Sequence, residues 1–381
     1  MTLTLAFALN LCISLVFAVA HFKDYRATTL HPCHQPPPSP APYSLAQPVN
    51  RPKTHALRSL LSAGGYHDTP APTVVVPLLG HLVPKKGFAC SDLKGNSKSA
   101  ASCAFGTPGF DSRLSNTFQP YPNTTFAVSY GDGEYLSGSA AFETVSVGGL
   151  PVTHQEIGLV SSAAWVGDGI NSGLLGLAYP QLTSVSNKSN PGETATYYPV
   201  LSMAFQQKRI RRHFSIALNR GTASGMRSPK TDPHLGYLAF GGVAPVPVTS
   251  PPPPANVATS SNDTIIDTGT TLNLVPTDVA RAYNKGWSTW RNGSYYVDCE
   301  AEAPPFSVTL GGKTFSIDPR DQVVYAGKDE KGKELCVSGT QDGGPQLASS
   351  VFILGDVFLH NVVVTFDIKD NRMTFTQRKK Y

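Results

Sequence analysis

Proline and glycine interrupt this chain about once in every six residues, with 32 prolines and 34 glycines in 381 positions. Long helices do not survive such punctuation, because proline removes a helical donor and collides with the preceding turn. A coiled coil is excluded on the same ground. The apolar runs are short and are separated by Gly, Pro, Ser and Thr, the pattern of many short strands between turns. Hydrophobic residues make up 40% and charged residues 15%, so a sizeable core is available and a disordered chain is excluded. The expectation is a mainly β protein of two or three domains.

The net charge of +5 is small for this length. The densest basic run, Lys208 to His213, reads as a solvated helix end before a strand, and the tail from Gln377 to Tyr381 as solvated. Neither offers the basic face with interleaved aromatics that nucleic-acid binding requires. His31, Cys33 and His34 lie in a proline-rich stretch and lack the spacing of a zinc site. No metal and no cofactor is expected.

Residues Leu3 to Ala20 are almost wholly apolar, and Ala18-Val19-Ala20 before His21 fits a small-x-small cleavage site. Residues 1–20 are therefore expected to be a signal peptide, although the run is barely long enough to serve as an anchor instead. Residues 21–70 read as a leader or propeptide. No later stretch is apolar enough to span a membrane. Apart from Cys12 and Cys33, four cysteines remain, Cys90, Cys103, Cys299 and Cys336, which allow three pairings. The two local pairs are the simplest. In a secreted chain, Asn123, Asn187, Asn262 and Asn292 are candidate glycan sites on surface turns.

Two halves follow. Leu174-Leu175-Gly176 and Ile353-Leu354-Gly355-Asp356 each place a glycine after an apolar pair at the edge of a strand, where it lets two backbones approach closely. Between them, Thr264-Ile265-Ile266-Asp267-Thr268-Gly269-Thr270-Thr271 puts a carboxylate directly after an apolar strand, on a turn with flanking hydroxyls. The Gly269 amide and the Thr270 hydroxyl are placed to orient Asp267 and hold it ionised. Alternatively, the segment is an Asx-turn that ends a strand.

These blocks together resemble the pepsin family of aspartic endopeptidases, fungal secreted members above all, from about Gly87 to Asp367. Asp267-Thr268-Gly269-Thr270-Thr271 looks like the second catalytic loop. Tyr130-Gly131-Asp132-Gly133 looks like the tip of the substrate-covering flap, with Tyr130, Gly131 and Asp132 as flap and substrate-binding residues. Phe214 to Leu218 looks like a strand at the junction of two lobes. Cys90–Cys103 and Cys299–Cys336 resemble the lobe disulfides. The resemblance implies an all-β, bilobal fold around a peptide-binding cleft, with an N-terminal lobe over 71–220 and a C-terminal lobe over 221–381. It implies a monomer that hydrolyses peptide or protein substrates at acid pH, using a water activated between two aspartates. Asp267 would be one of them, and Thr268 would brace the facing loop. The expected destination is extracellular, with a vacuole or the cell surface as alternatives.

The chain departs from the family where the first catalytic loop belongs. Thr73 to Pro84 contains no aspartate, and the nearest, Asp68, is followed by Thr69 and Pro70. That proline removes the amide that the family's glycine supplies. Only Val243 to Thr264 separate Gly241-Gly242 from the second loop, so strand material is missing there too. Two readings follow. In one, the chain is translated across misplaced exon boundaries; codons for Leu78 to Leu82 can be chosen so that a one-nucleotide shift reads Ser-Ser-Val-Thr-Trp, as follows Asp-Thr-Gly in the family. In the other, the protein is a non-catalytic relative that binds a peptide, glycan or protein. A lone Asp267 is expected to titrate as an ordinary hydrogen-bonded acid.

Overall fold

The computed structural model describes residues 18–20, 74–76, 83–91, 97–98, 110–129, 134–147, 150–164, 175–178, 180, 185–194, 197–211, 213–220, 236–249, 263–310, 312–344, 351–368 and 372–381. Tyr130, Gly131, Asp132, Cys103 and Asn262 lie outside them.

Two short strands come first, β1 (Ala18–Ala20) and β2 (Val74–Val76). The first half then builds an eight-stranded sheet from β3 (Val83–Ser91), β4 (Ser97–Lys98), β5 (Gln119–Pro120), β6 (Thr124–Ser129), β7 (Tyr135–Val147), β8 (Leu150–Ala164), β9 (Val185–Asn187) and β10 (Asn190–Thr194). The long β7–β8 hairpin is its spine, paired from Tyr135↔Ala164 to Val147↔Leu150. Its buried residues Leu136, Ala140, Val160 and Ala163 pack with Phe126 of β6, Val185 of β9 and Cys90.

Helix α1 (Val200–Gln206) leads through a turn into β11 (His213–Leu218). The basic run thus ends a helix before a strand, as its composition indicates. A five-stranded sheet follows, ordered β2, β12 (Gly236–Phe240), β11, then β23 (Val362–Asp367) and β24 (Arg372–Gln377), the last two strands of the chain. It draws strands from both halves and forms the junction. Phe214 stacks on Phe366 across it at 4.7 Å between ring centroids. Leu238, Phe240, Val362 and Val364 are fully buried in a core shared by the two halves.

The second half places β13 (Asp263–Ile266) parallel to β22 (Val351–Leu354), with β14 (Asn273–Val275) antiparallel to β22 on its other side. Strand β1 pairs with the outer edge of β13, Ala18 opposite Ile266. Helix α2 (Thr277–Asn284) follows β14. The hairpin β15 (Thr289–Arg291) and β16 (Ser294–Val297) turns on Asn292 and Gly293, both at positive φ. β17 (Phe306–Leu310) and β18 (Lys313–Ile317) form a separate hairpin. β19 (Val323–Lys328) and β20 (Glu334–Ser338) extend the sheet of β15 and β16, and β21 (Thr340–Asp342) lies beside β14. A single-turn helix, α3 (Asp356–Leu359), links β22 to β23. Cys299 and Cys336 are bonded, as expected. Cys90 is also disulfide-bonded and buried.

The end of β11, residues 318–321 and the chain's last residues meet in one charged cluster. Arg220 bonds both carboxylate oxygens of Asp321 at 2.6 and 2.7 Å. Asn361 donates to Asp321 at 2.7 Å. The Tyr381 ring lies between the guanidiniums of Arg220 and Arg378, 4.4 and 4.0 Å from its centroid. Arg378 also donates to the Leu218 carbonyl. Part of the tail is therefore not solvated: Gln377 and Arg378 are buried, Arg378 at 6% exposure and held by the carbonyls and ring around it, while Lys379 and Lys380 are exposed.

Candidate active site

Asp267 follows the apolar β13 and is 3% exposed. Its backbone N–H donates to the Leu354 carbonyl at 3.1 Å, continuing the parallel ladder onto the turn. The Gly269 N–H donates to Oδ1 at 2.8 Å and the Thr270 hydroxyl to Oδ2 at 2.5 Å. Each oxygen thus has its own donor, and the residue types that predicted this cradle supply it.

The loop is braced from beneath. The N–H groups of Asp356 and Val357, at the start of α3, donate to the carbonyls of Thr270 and Thr271 at 2.9 and 3.0 Å. Gly355 makes this approach possible, since a Cβ there would overlap the carbonyl oxygens of Thr270 and Leu272. Its counterpart Gly176 differs: nothing among the described residues lies within 4 Å of a Cβ built on it. Among the described residues, the close approach read from both glycines is seen at Gly355.

Thr268 is 1% exposed, and its hydroxyl has no hydrogen-bond partner among the described residues. A buried hydroxyl without a partner costs about 1–3 kcal/mol. It stands beside Asp267, at the position read from the motif as bracing a facing loop.

Two expectations for Asp267 need correction. Burial raises its pKa above the ordinary aspartate value and outweighs the lowering by Thr270 and Gly269, so the two donors orient the carboxylate without making it a stronger acid. Nor is it isolated: Asp356, also 3% exposed, is pushed well up, first by burial and then by the charge of Asp267. Desolvation and a like charge both favour a neutral Asp356. Sequence reading named Asp356 only as part of a glycine-bearing segment.

Chemically, the arrangement holds a desolvated, oriented carboxyl able to exchange a proton with a bound nucleophile. Among the described residues no cluster of three or more His, Cys, Asp or Glu side chains could hold a metal ion. Asn123 and Asn292 are exposed on turns and Asn187 is half-buried at a strand end.

A mostly β fold with a buried aspartate on an Asp-Thr-Gly turn, braced by an apolar-apolar-glycine segment, defines an aspartyl protease lobe. The comparisons agree. The family described as eukaryotic aspartyl protease matches residues 90–249 and 253–378. The chain is 33% identical over 338 residues to a probable aspartic-type endopeptidase of Aspergillus fumigatus, covering 77% of this chain and 72% of that protein. It is 32% identical over 288 residues to rhizopuspepsin-1 of Rhizopus niveus, covering 73% and 70%. The aspartic proteinase of Irpex lacteus shares the fold, with a TM-score of 0.55 at 23% identity over 69% of this chain and 84% of that one. The chain belongs to the eukaryotic aspartyl protease family, the pepsin family.

Proposed function

We propose that this protein is a secreted aspartic endopeptidase that hydrolyses peptide bonds at acid pH, with Asp267 as one of two catalytic carboxyls. The observation that carries the reading is the built cradle of Asp267, buried and donated to on both oxygens. When ionised, one carboxylate takes a proton from the attacking water. The second, protonated carboxyl polarises the scissile carbonyl and stabilises the charge that develops on it. Tyr130, Gly131 and Asp132 are proposed to cover the substrate.

The second aspartate belongs before Cys90, and three observations favour its loss through a displaced reading frame over a non-catalytic design. The family match begins at residue 90, just after the stretch without aspartate. The Thr268 hydroxyl is buried and has no partner among the described residues. Among the described residues nothing lies within 4 Å of a Cβ built on Gly176, whereas Gly355 is tightly covered. All three fit a lobe built to meet a missing loop. The alternative of a non-catalytic binder gains no support from the two fungal relatives, which are named as endopeptidases or pepsins.

Secretion would remove residues 1–20, and with them β1. The outer edge of β13 would then be free for the strand material missing between Val243 and Thr264. Among the described residues no helix is long and apolar enough to cross a membrane.

The test is to sequence the transcript across codons 60 to 90 and 240 to 265. An Asp-Thr-Gly upstream of Cys90 is expected. The corrected chain should cleave acid-denatured protein at about pH 3–5, and Asp267→Asn should lower kcat by roughly 10⁴-fold or more. A transcript identical to this chain, with no cleavage, would leave a binder; cleavage by the chain as written would show that no second aspartate before Cys90 is needed.

A further inference from the structure

Of the three described sequons, two come together. Asn123 sits on the turn before β6, and Asn187 ends β9. These strands pair antiparallel, with Thr124 opposite Asn187, and the Lys188 N–H donates to the Asn123 carbonyl at 2.8 Å. Two asparagines 64 positions apart in sequence therefore stand roughly 6 Å apart at the backbone, as diagonal neighbours in an antiparallel pair. Asn123 is exposed at φ 56°, outside the strand. Asn187 accepts the Ser189 N–H on Oδ1 at 2.9 Å, which fixes its side chain through the oxygen and not through the nitrogen that a glycan uses. The third, Asn292, tips a hairpin in a different sheet.

Their location is the edge of the eight-stranded sheet. Among the described residues, strand β10 is last in the sheet order and β9 pairs with β6 over Thr124 to Phe126. Open edges offer unpaired backbone groups to other chains, and natural sheets cover or interrupt them. Pro191 lies within β10 and carries no N–H, so this strand has one donor fewer. The rest of the edge has no charged or proline block from Ala127 to Ser129.

We propose that Asn123 and Asn187 form a paired N-glycan site that flanks this edge and keeps it from pairing with other chains. The inference rests on the secretory reading above. In each modification, Nδ2 attacks the anomeric carbon of an oligosaccharide carried on a lipid pyrophosphate. An N–C bond forms, the C–O bond to the pyrophosphate breaks with its electron pair, and the amide nitrogen gives up one proton.

The experiment expresses the full chain in a eukaryotic secretory host, maps glycopeptides, and follows association by sedimentation. Thr125→Ala and Ser189→Ala, singly and together, remove the two sequons while keeping both asparagines and the Ser189 N–H. Endoglycosidase trimming of the folded parent removes the bulk of the glycans without mutation. Glycans on Asn123 and Asn187 are expected, with a monomeric parent and with self-association of both the double variant and the trimmed protein. Trimming whatever glycans remain, at Asn262 or Asn292, in a variant lacking the Asn123 and Asn187 sequons should change nothing further. An unmodified Asn123 or Asn187 beside a modified Asn292 overturns the paired site and leaves secretion standing. Modification at no site overturns the pair and the secretory reading together. A trimmed protein as monomeric as its parent overturns the role at the edge.

Discussion

Thr270 contributes the shorter of the two bonds to Asp267. A hydrogen bond to an ionised group is worth about 1.5–3 kcal/mol, or roughly one to two pKa units. Thr270→Val should therefore push the already raised pKa of Asp267 further up, and a ¹³C titration of the aspartate carboxyls reads it directly. Thr270→Ser should restore it. Glu156 is a second residue-scale case, 6% exposed on β8 with one carboxyl oxygen that has no partner among the described residues. Burial pushes its pKa up to about 8. A carboxyl raised in the folded state contributes stability that is present below its unfolded pKa and is lost as pH rises through the folded value. The melting temperature should therefore fall from pH 5 to about pH 8, and Glu156→Gln should flatten that decline.

At the scale of elements, the catalytic turn depends on α3. Any side chain at Gly355 meets the carbonyls of Thr270 and Leu272, so Gly355→Ala must part α3 from the loop and break the two N–H bonds that brace it. A strongly lowered melting temperature and a changed Asp267 titration are expected. Cys299–Cys336 closes a loop across 37 positions between β16 and β20. Opening it by Cys299→Ser with Cys336→Ser should cost about 4 kcal/mol by chain entropy, seen as a lower denaturant midpoint. These elements were legible in the sequence because their signals are local. Asp267, Gly269 and Thr270 lie within four positions, and strand-turn chemistry relates them. The cluster of Arg220, Asp321 and Tyr381 was not legible. Its members are 101 and 161 positions from Arg220, and nothing in the local pattern of a basic tail separates a packed guanidinium from a solvated one. Burial of Asp356 was likewise hidden, since it depends on α3 tucking beneath a loop 86 positions earlier.

For the molecule as a whole, the charges divide by pH. Asp267, Asp356 and Glu156 are all raised, chiefly by burial, and favour the protonated state. Asp318 moves the other way, to about 2, first through its bonds from Arg320. Asp321 is lowered as well: burial opposes this, but His360 and Arg220 prevail. A depressed carboxyl gives stability that is present above its unfolded pKa and is lost as pH falls through the folded one. On the acid side the contribution of Asp318 should therefore be lost progressively as pH falls from about 4 to about 2, and Asp318→Asn should lower stability at pH 5 and weaken its dependence on pH below 4. The raised groups cost stability toward neutral pH, so the fold suits acid surroundings independently of the chemistry at Asp267.

The junction sheet has a consequence for how the chain is made. Strand β11 is flanked by β12 and by β23, and its end is clipped by Arg378, 160 positions later. During synthesis on a ribosome, the first half emerges long before β23 and β24 exist. Its central strand must wait with one side uncovered until β23 clears the exit tunnel. Non-local pairing of this kind is slow to form and leaves apolar surface exposed meanwhile. Residues made much later thus determine when β11 can settle, and a holding partner for β11 during that interval would speed maturation more than any aid to the local hairpins.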